Sequence, residues 1–186
     1  KRMSNLSTIG IEENNSYLVR ELRSDHAGET GAVYIYKGIA AIAKITNDSE
    51  LLNLARSHGA TESEHLELIE SVLARKLQSR LLVLWRIAGW LIGAIPAFFG
   101  RGAVYATIAA VETFVEQHYQ AQIDYLRING SSDDLLELLM RCQADEIAHQ
   151  KEAKSQISEA LPRALRAWCA IVQWGSSTAV VVARSF

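Results

Sequence analysis

Along four stretches of the chain, apolar residues recur at intervals of three and four, the spacing that gathers side chains on one face of a helix. The first stripe runs Leu22, His26, Glu29, Val33, Tyr36, Ala40. The second runs Ala55, Glu62, His65, Ile69 and then Val72 or Leu73. Tyr105, Ile108, Glu112, Val115, Tyr119 and Gln122 form the third, and Leu135, Leu139, Cys142, Glu146, His149 and Ala153 the fourth. The spacing predicts helices over residues 17–45 and roughly 50–78, with the Thr46-Asn47-Asp48-Ser49 loop between them and Asp48 or Ser49 as the cap. Asn129-Gly130 followed by Ser131-Ser132-Asp133 ends the third helix and starts a fourth, expected to reach about residue 160. Pro162 is placed to open a last helix over roughly 163–184. No run alternates as a strand does, so the fold class is all-α.

Two regions depart from this pattern. Residues 1–16 are polar without a stripe and are read as a flexible lead-in, leaving 17–186 as one domain. Residues 81–100 are apolar throughout, with Arg86 and Arg101 framing fourteen uncharged positions. That is short of the roughly 20 residues a membrane span needs. Pro96 and the glycines are expected to break any helix there. With Trp85 and Trp90, the segment reads as a greasy connection between two helix pairs that lies in a membrane surface or folds onto its own core. The last helix, with Trp168, Ile171, Val172 and Trp174, is similarly apolar.

In every stripe an acid occupies a position that calls for an apolar residue. Burying four carboxylates is prohibitive unless they are protonated, paired or bound to metal, and few Lys or Arg share these faces. The acids also repeat. Glu29 stands 33 positions before Glu62, and Glu112 stands 34 before Glu146, while Glu62/His65 and Glu146/His149 are both Glu-x-x-His. With fifteen Glu and five His in 186 residues, accident supplies roughly 0.4 such pairs. Two pairs with matched partners are well beyond that. Four carboxylates and two imidazoles are the ligand pattern of ferritin-like di-iron four-helix bundles. The expected architecture is therefore a ferritin-like four-helix bundle with a hydrophobic connection between helix pairs and an extra C-terminal helix. Glu29, Glu62, His65, Glu112, Glu146 and His149 are the candidate metal ligands, with Glu62 and Glu146 as candidate bridges. Oxygen and imidazole donors favour iron or manganese over zinc. Asp25 and Asp145 are candidate acceptors for the outer N–H of the ligating histidines. His58 and His26 are expected to be structural, Glu116 to take a polar-face role, and Glu64, Glu67 and Glu70 to form a solvated face.

Composition narrows the field further. Hydrophobic residues make up 49%, charged residues 22%, and the net charge is -2, which leaves no electrostatic footprint for nucleic acid. Cys142 and Cys169 stand far apart, with no thiolate metal motif, and suit a reducing compartment as small core residues. No secretory leader is read within the given residues.

Asp25-His26-Ala27-Gly28-Glu29, followed by Ile35-Tyr36 and Gly38, resembles the first-helix signature of the demethoxyubiquinone hydroxylase family. Glu62-x-x-His65-Leu66, Trp85 with Ala88-Gly89-Trp90, Ala110-Val111-Glu112 with His118-Tyr119, and Asp145-Glu146-x-x-His149 continue the likeness over roughly residues 20–184. The chain departs from the family's usual stretch at Arg75–Leu81, a segment tied to substrate access and partner docking. The resemblance implies a peripheral membrane enzyme with two iron ions per chain. It would hydroxylate the demethoxyubiquinone or demethoxyubiquinol ring with O2, taking electrons from NADH or the reduced quinone. The same six residues would be the iron ligands, and His118 and Tyr119 a pair near the metal implicated in electron delivery. It also implies a lipophilic quinone substrate and other ubiquinone-biosynthesis proteins as partners; a homo-oligomer is compatible. The location would be the cytoplasmic face of a bacterial inner membrane or the matrix face of the mitochondrial one. The competing readings are a ferroxidase or peroxidase, a di-manganese catalase, and a non-enzymatic quinone-binding scaffold.

Overall fold

The computed structural model describes residues 16–130, 132–157 and 160–186. Apart from residue 16, the expected lead-in lies outside them. Six α-helices follow one another: α1 (Ser16–Ile45), α2 (Ser49–Val72), α3 (Leu82–Ala97), α4 (Arg101–Asn129), α5 (Asp133–Ser155) and α6 (Arg163–Ala183), with one 3-10 turn at Arg75–Leu77. Among the described residues there is no strand. α1 pairs with α2 and α4 with α5, α3 lies along α1, and α6 lies across α4 and α1. The arrangement is the expected four-helix bundle with one added helix for each half.

Local signals set most boundaries. The Asp48 carboxylate accepts from the Leu51 amide and caps α2. Ser132 caps α5 through the Leu135 amide, and Gly130 turns the chain after α4 with φ 75°. Pro162 immediately precedes α6, where its missing N–H costs nothing. Two helices are shorter than the spacing predicts. α2 stops at Val72 instead of 78, because Leu73 turns extended and buries itself in the core. The strap beyond it is then tied to α1: Arg23 Nε donates to the Leu77 carbonyl at 2.7 Å, and the Ser79 amide donates to His26 Nδ1 at 3.2 Å. α5 stops at Ser155 rather than near 160.

The greater correction concerns residues 81–100. Pro96 and the glycines do not break the helix; α3 runs unbroken to Ala97, with Pro96 in its last turn. Gly89 and Gly93 are instead the points where α3 touches α1, backbone against backbone. A side-chain Cβ at Gly89 would fall on the Gly31 carbonyl, and one at Gly93 on the Ile35 carbonyl. Such an approach is open only to glycine. The segment is a packed helix with one face on α1. Its other face is exposed, with Val83, Ile87 and Phe98 at 69%, 57% and 64% exposure.

Apolar residues fill the two ends of the bundle. One cluster gathers Ile39, Ile42, Leu51, Val104 and Ile108; the other gathers Leu22, Ile69, Ile123, Leu135 and Leu139. Cys142 sits in the second and behaves as the small core residue expected of it. Between the clusters lies a single polar layer, and the candidate ligands occupy it.

Candidate metal centre

Each of the four bundle helices delivers its acid to the same level, since each acid stands mid-stripe between apolar turns. Glu29, Glu62, His65 and Glu146 place one donor atom each within 4.8 Å of one another, and so do Glu62, Glu112, Glu146 and His149. Glu62 and Glu146 belong to both groups. His65 Nδ1 faces inward, 3.1 Å from Glu146, 3.6 Å from Glu62 and 3.8 Å from Glu29. His149 Nδ1 also faces inward, 3.1 Å from Glu62 and 3.9 Å from Glu146. All six side chains are buried.

The donors converge without satisfying one another. Glu29 Oε2, both oxygens of Glu62, Glu146 Oε2 and His149 Nδ1 are buried with no hydrogen-bond partner among the described residues. Orphaned polar atoms of this kind are costly and rare in native interiors. Here they are oxygen and imidazole donors in two overlapping sets of four, which is chemistry suited to a pair of divalent iron or manganese ions. The residues present therefore fit a two-metal group.

Electrostatics points the same way. Burial, reinforced by the neighbouring Glu62 charge, pushes Glu29 and Glu146 up to about 8 and Glu112 well above the usual carboxylate range. Glu62 is also buried, but the close approach of the His149 and His65 rings outweighs that and lowers it. Burial works to lower His65 and His149 as well, yet their carboxylate partners win and raise both. The sign of the linkage follows. Groups with raised folded values contribute stability that is present below their unfolded values and lost as pH climbs through the folded ones. After chelation, the melting temperature should therefore fall as pH rises from about 5 to about 8, whereas the metal-loaded protein should not show this fall. Differential scanning calorimetry on the two forms checks this; parallel curves would contradict it.

A second layer holds these groups from outside. The Tyr119 hydroxyl donates to Glu29 at 2.5 Å and the Tyr36 hydroxyl to Glu112 at 3.1 Å. Burial raises both phenols well above their ordinary value, so they remain O–H donors. Asp145 lies 3.2 Å from the outer nitrogen of His65, as expected of a supporting carboxylate. Asp25 does not take the equivalent place: it pairs with His118 at 3.1 Å and Gln122 at 2.8 Å and touches neither inward-facing histidine. His58 is structural, as expected, stacked on His149 with ring centroids 3.9 Å apart. It links the Tyr36 hydroxyl, 3.2 Å away, to the exposed Glu152, 3.1 Å away. Nothing in the sequence spacing singles out Glu152. His26 supports the strap after α2 and also meets Glu70 at 3.3 Å, while Glu64 pairs with Arg141 and Glu116 accepts from Gln150. Glu64 and Glu70 are thus tied to partners rather than simply solvated, while Glu116 has a polar role.

One side of the carboxylate layer opens on a cavity of about 430 Å³ between α1, α3, α4 and α6. Glu29, Glu62, Glu112 and Glu146 line its inner end. His118 and Tyr119 border it too, and its remaining walls are largely apolar, including Ile35, Trp85, Ile92 and Val115. Leu84 and Trp174 line it as well and are 50% and 72% exposed, so the cavity reaches the surface between α3 and α6.

Comparison with known proteins agrees with this architecture. Residues 16–183 match the family model described as ubiquinone biosynthesis protein COQ7. The chain is 30% identical over 179 residues to a Dictyostelium discoideum protein named NADPH-dependent 3-demethoxyubiquinone 3-hydroxylase, mitochondrial, covering 94% of this chain and 81% of that one. The mouse protein of the same name is 29% identical over 93% of this chain and 80% of its own length. A Rhodospirillum rubrum protein named 3-demethoxyubiquinol 3-hydroxylase is 38% identical over 109 residues, 58% of this chain and 50% of that one. The chain belongs to the COQ7 family of ubiquinone biosynthesis proteins.

Proposed function

From that membership and from the polar layer, we propose that the protein hydroxylates the ring of demethoxyubiquinol with O2 at a carboxylate-bridged pair of iron ions. The observation that carries the reading is the cavity whose walls are apolar and whose inner end is the four carboxylates. A lipophilic quinone head fits the first, and redox metals fit the second. Glu29 with His65, and Glu112 with His149, would each hold one ion, and Glu62 and Glu146, common to both groups, would bridge them. Such a pair supplies two electrons and open coordination positions for O2. The balance is a ring C–H, O2, two electrons and two protons going to a ring C–OH and water. A reduced nicotinamide or the reduced quinone is the electron source.

The chain's own residues supply orientation and exclusion of water. The Tyr36 and Tyr119 hydroxyls each fix one carboxylate oxygen, of Glu112 and of Glu29. Ligands supported in this way lose affinity when the support is removed, typically about 10–100-fold. Tyr36→Phe should accordingly weaken binding at the Glu112/His149 position by about 10–100-fold, read by iron titration. Unchanged affinity would mean that Tyr36 is only a packing residue. His118, hydrogen-bonded to Ser24 at 3.0 Å and held against Asp25, stands with Tyr119 on the cavity wall, where electrons would reach the quinone. A ferroxidase has no use for an apolar chamber over its metals, nor has a catalase. Among the described residues no helix is long and apolar enough to cross a membrane. The exposed apolar faces of α3 and α6 at the cavity mouth suit peripheral attachment, from which a long-tailed quinone could enter.

The test is direct. Iron-loaded protein, a reductant and a short-tailed demethoxyubiquinol should give a product one oxygen heavier, only when O2 is present. No such product with any reductant, from protein holding two irons, would refute the reading.

A further inference from the structure

We infer that His58 is a positioning residue for one of the two metal positions, because it holds both Glu112 and His149, the ligands that position does not share with the other. The inference rests on the ligand assignment proposed above and not on the reaction. The buried His58 ring is stacked on that of His149, with centroids 3.9 Å apart and planes 11° from parallel. Its Nδ1 stands 3.2 Å from the Tyr36 hydroxyl, which donates to Glu112 at 3.1 Å. A phenol has one proton to give. With that proton on Glu112, the Tyr36 oxygen accepts from the Nδ1–H of His58. The Tyr36 ring meets both imidazoles edge-on, at centroid distances of 5.4 and 6.4 Å, so the three rings form one packed group. Gly59 lets α2 come this close to α1, since a Cβ there would stand 3.1 Å from the Tyr36 Cβ.

The other metal position is held differently. Asp145 stands 3.2 Å from the outer nitrogen of His65, and Tyr119 donates to Glu29 directly. Each histidine is thus backed from the opposite helix, His65 on α2 by Asp145 on α5, and His149 on α5 by His58 on α2. The backing residues are not equivalent. The shift that lays Glu62 on Glu146 puts Thr61 opposite Asp145 and Cys142 opposite His58. Threonine brings no carboxylate, and among the described residues no acid pairs with the outer nitrogen of His149, whose contacts with Glu62 and Glu146 both run through Nδ1. The face of the His58 ring stands in for that acceptor. Groups that orient a ligand in this way typically cost about 10–100-fold in metal affinity when removed. Glu152, 3.1 Å from His58 Nε2, has a side chain that is 55% exposed. A contact that open to water contributes little, so the stack and the Tyr36 contact carry the role.

The test is an anaerobic titration with ferrous iron alone, without quinol, and with circular dichroism to confirm the fold. His58→Leu keeps most of the volume and removes both contacts; His58→Ala is a second variant read in the same way. The parent should take up two ions per chain. Each His58 variant should hold one ion as the parent does and bind the second about 10–100-fold more weakly. A double-mutant cycle separates positioning from packing. Glu112→Gln leaves Glu29, Glu62, His65 and Glu146 for one ion, and adding His58→Leu should not change that ion's affinity. Glu29→Gln leaves Glu62, Glu112, Glu146 and His149, and there His58→Leu should cost the full about 10–100-fold. Packing alone would weaken the ion in both backgrounds alike, and that result would overturn the inference. So would two ions bound by both His58 variants with the parent's affinities. A parent that takes up no ions would overturn the ligand assignment itself, and this inference with it.

Discussion

Replacing Glu146 by alanine is expected to abolish binding of the iron pair while leaving the helices folded. Glu146 is one of two carboxylates within reach of both donor groups, and its loss reduces each group from four members to three. It also takes away the 3.1 Å partner that holds His65 Nδ1 toward the centre. Removing one member of a buried charged set costs about 3–5 kcal/mol, which weakens binding roughly a hundred- to a few thousand-fold. The fold should persist because the two apolar clusters flank this layer and do not depend on it. Iron analysis, with circular dichroism as the control, decides the matter. Glu152→Ala, at the exposed end of the His58 contact, should keep both ions. Two irons per chain retained in Glu146→Ala would end the ligand assignment.

The second large effect belongs to the seam between α1 and α3. A methyl group at Gly93 would collide with the backbone carbonyl of Ile35, and backbone cannot rotate out of the way as a side chain can. Overpacking at such a point costs typically 1–3 kcal/mol and more where relief is blocked, so Gly93→Ala should lose about 3 kcal/mol. In a chain of this length, that lowers the melting temperature by about 6–12 °C. The loss would also lift α3 away from the wall of the 430 Å³ cavity, which Gly89 and Ile92 help to form. Gly28→Ala is the matched control. It lies in the middle of α1 with nothing within 4 Å of the added carbon. There the helix-propensity gain of about 1 kcal/mol should raise the midpoint by about 2–4 °C. Equal midpoints for the Gly93 variant and the parent would show that the seam relaxes easily and does not shape the cavity.

These two sites differ in how far the sequence disclosed them. The carboxylate layer was legible because acids at apolar stripe positions violate the helical pattern, and the violation repeats at nearly the same offset in both halves. Periodicity sets the height of each residue along its helix, so four stripes with matching acids are enough to predict that they meet. The α1–α3 seam was not legible. Glycines and a proline in an apolar run read locally as helix breakers. What makes Gly89 and Gly93 favourable is the backbone of Gly31 and Ile35, more than fifty residues away. The same limit applies to the early end of α2, fixed by Arg23 and His26 reaching across from α1. It applies again to Asp25, whose proximity to His26 and Glu29 in sequence gives no hint that it faces His118 on α4. The cavity draws on residues of all six helices, so no single stripe contains it.

The most direct measurement is a single turnover of anaerobically iron-loaded protein with a short-tailed demethoxyubiquinol and isotopically labelled O2, read by mass spectrometry. One labelled oxygen in the ring of the product is the predicted result, with the second oxygen released as water. Oxidised iron with a quinone that carries no label would contradict the account, leaving a metal-binding bundle whose chemistry is not ring hydroxylation.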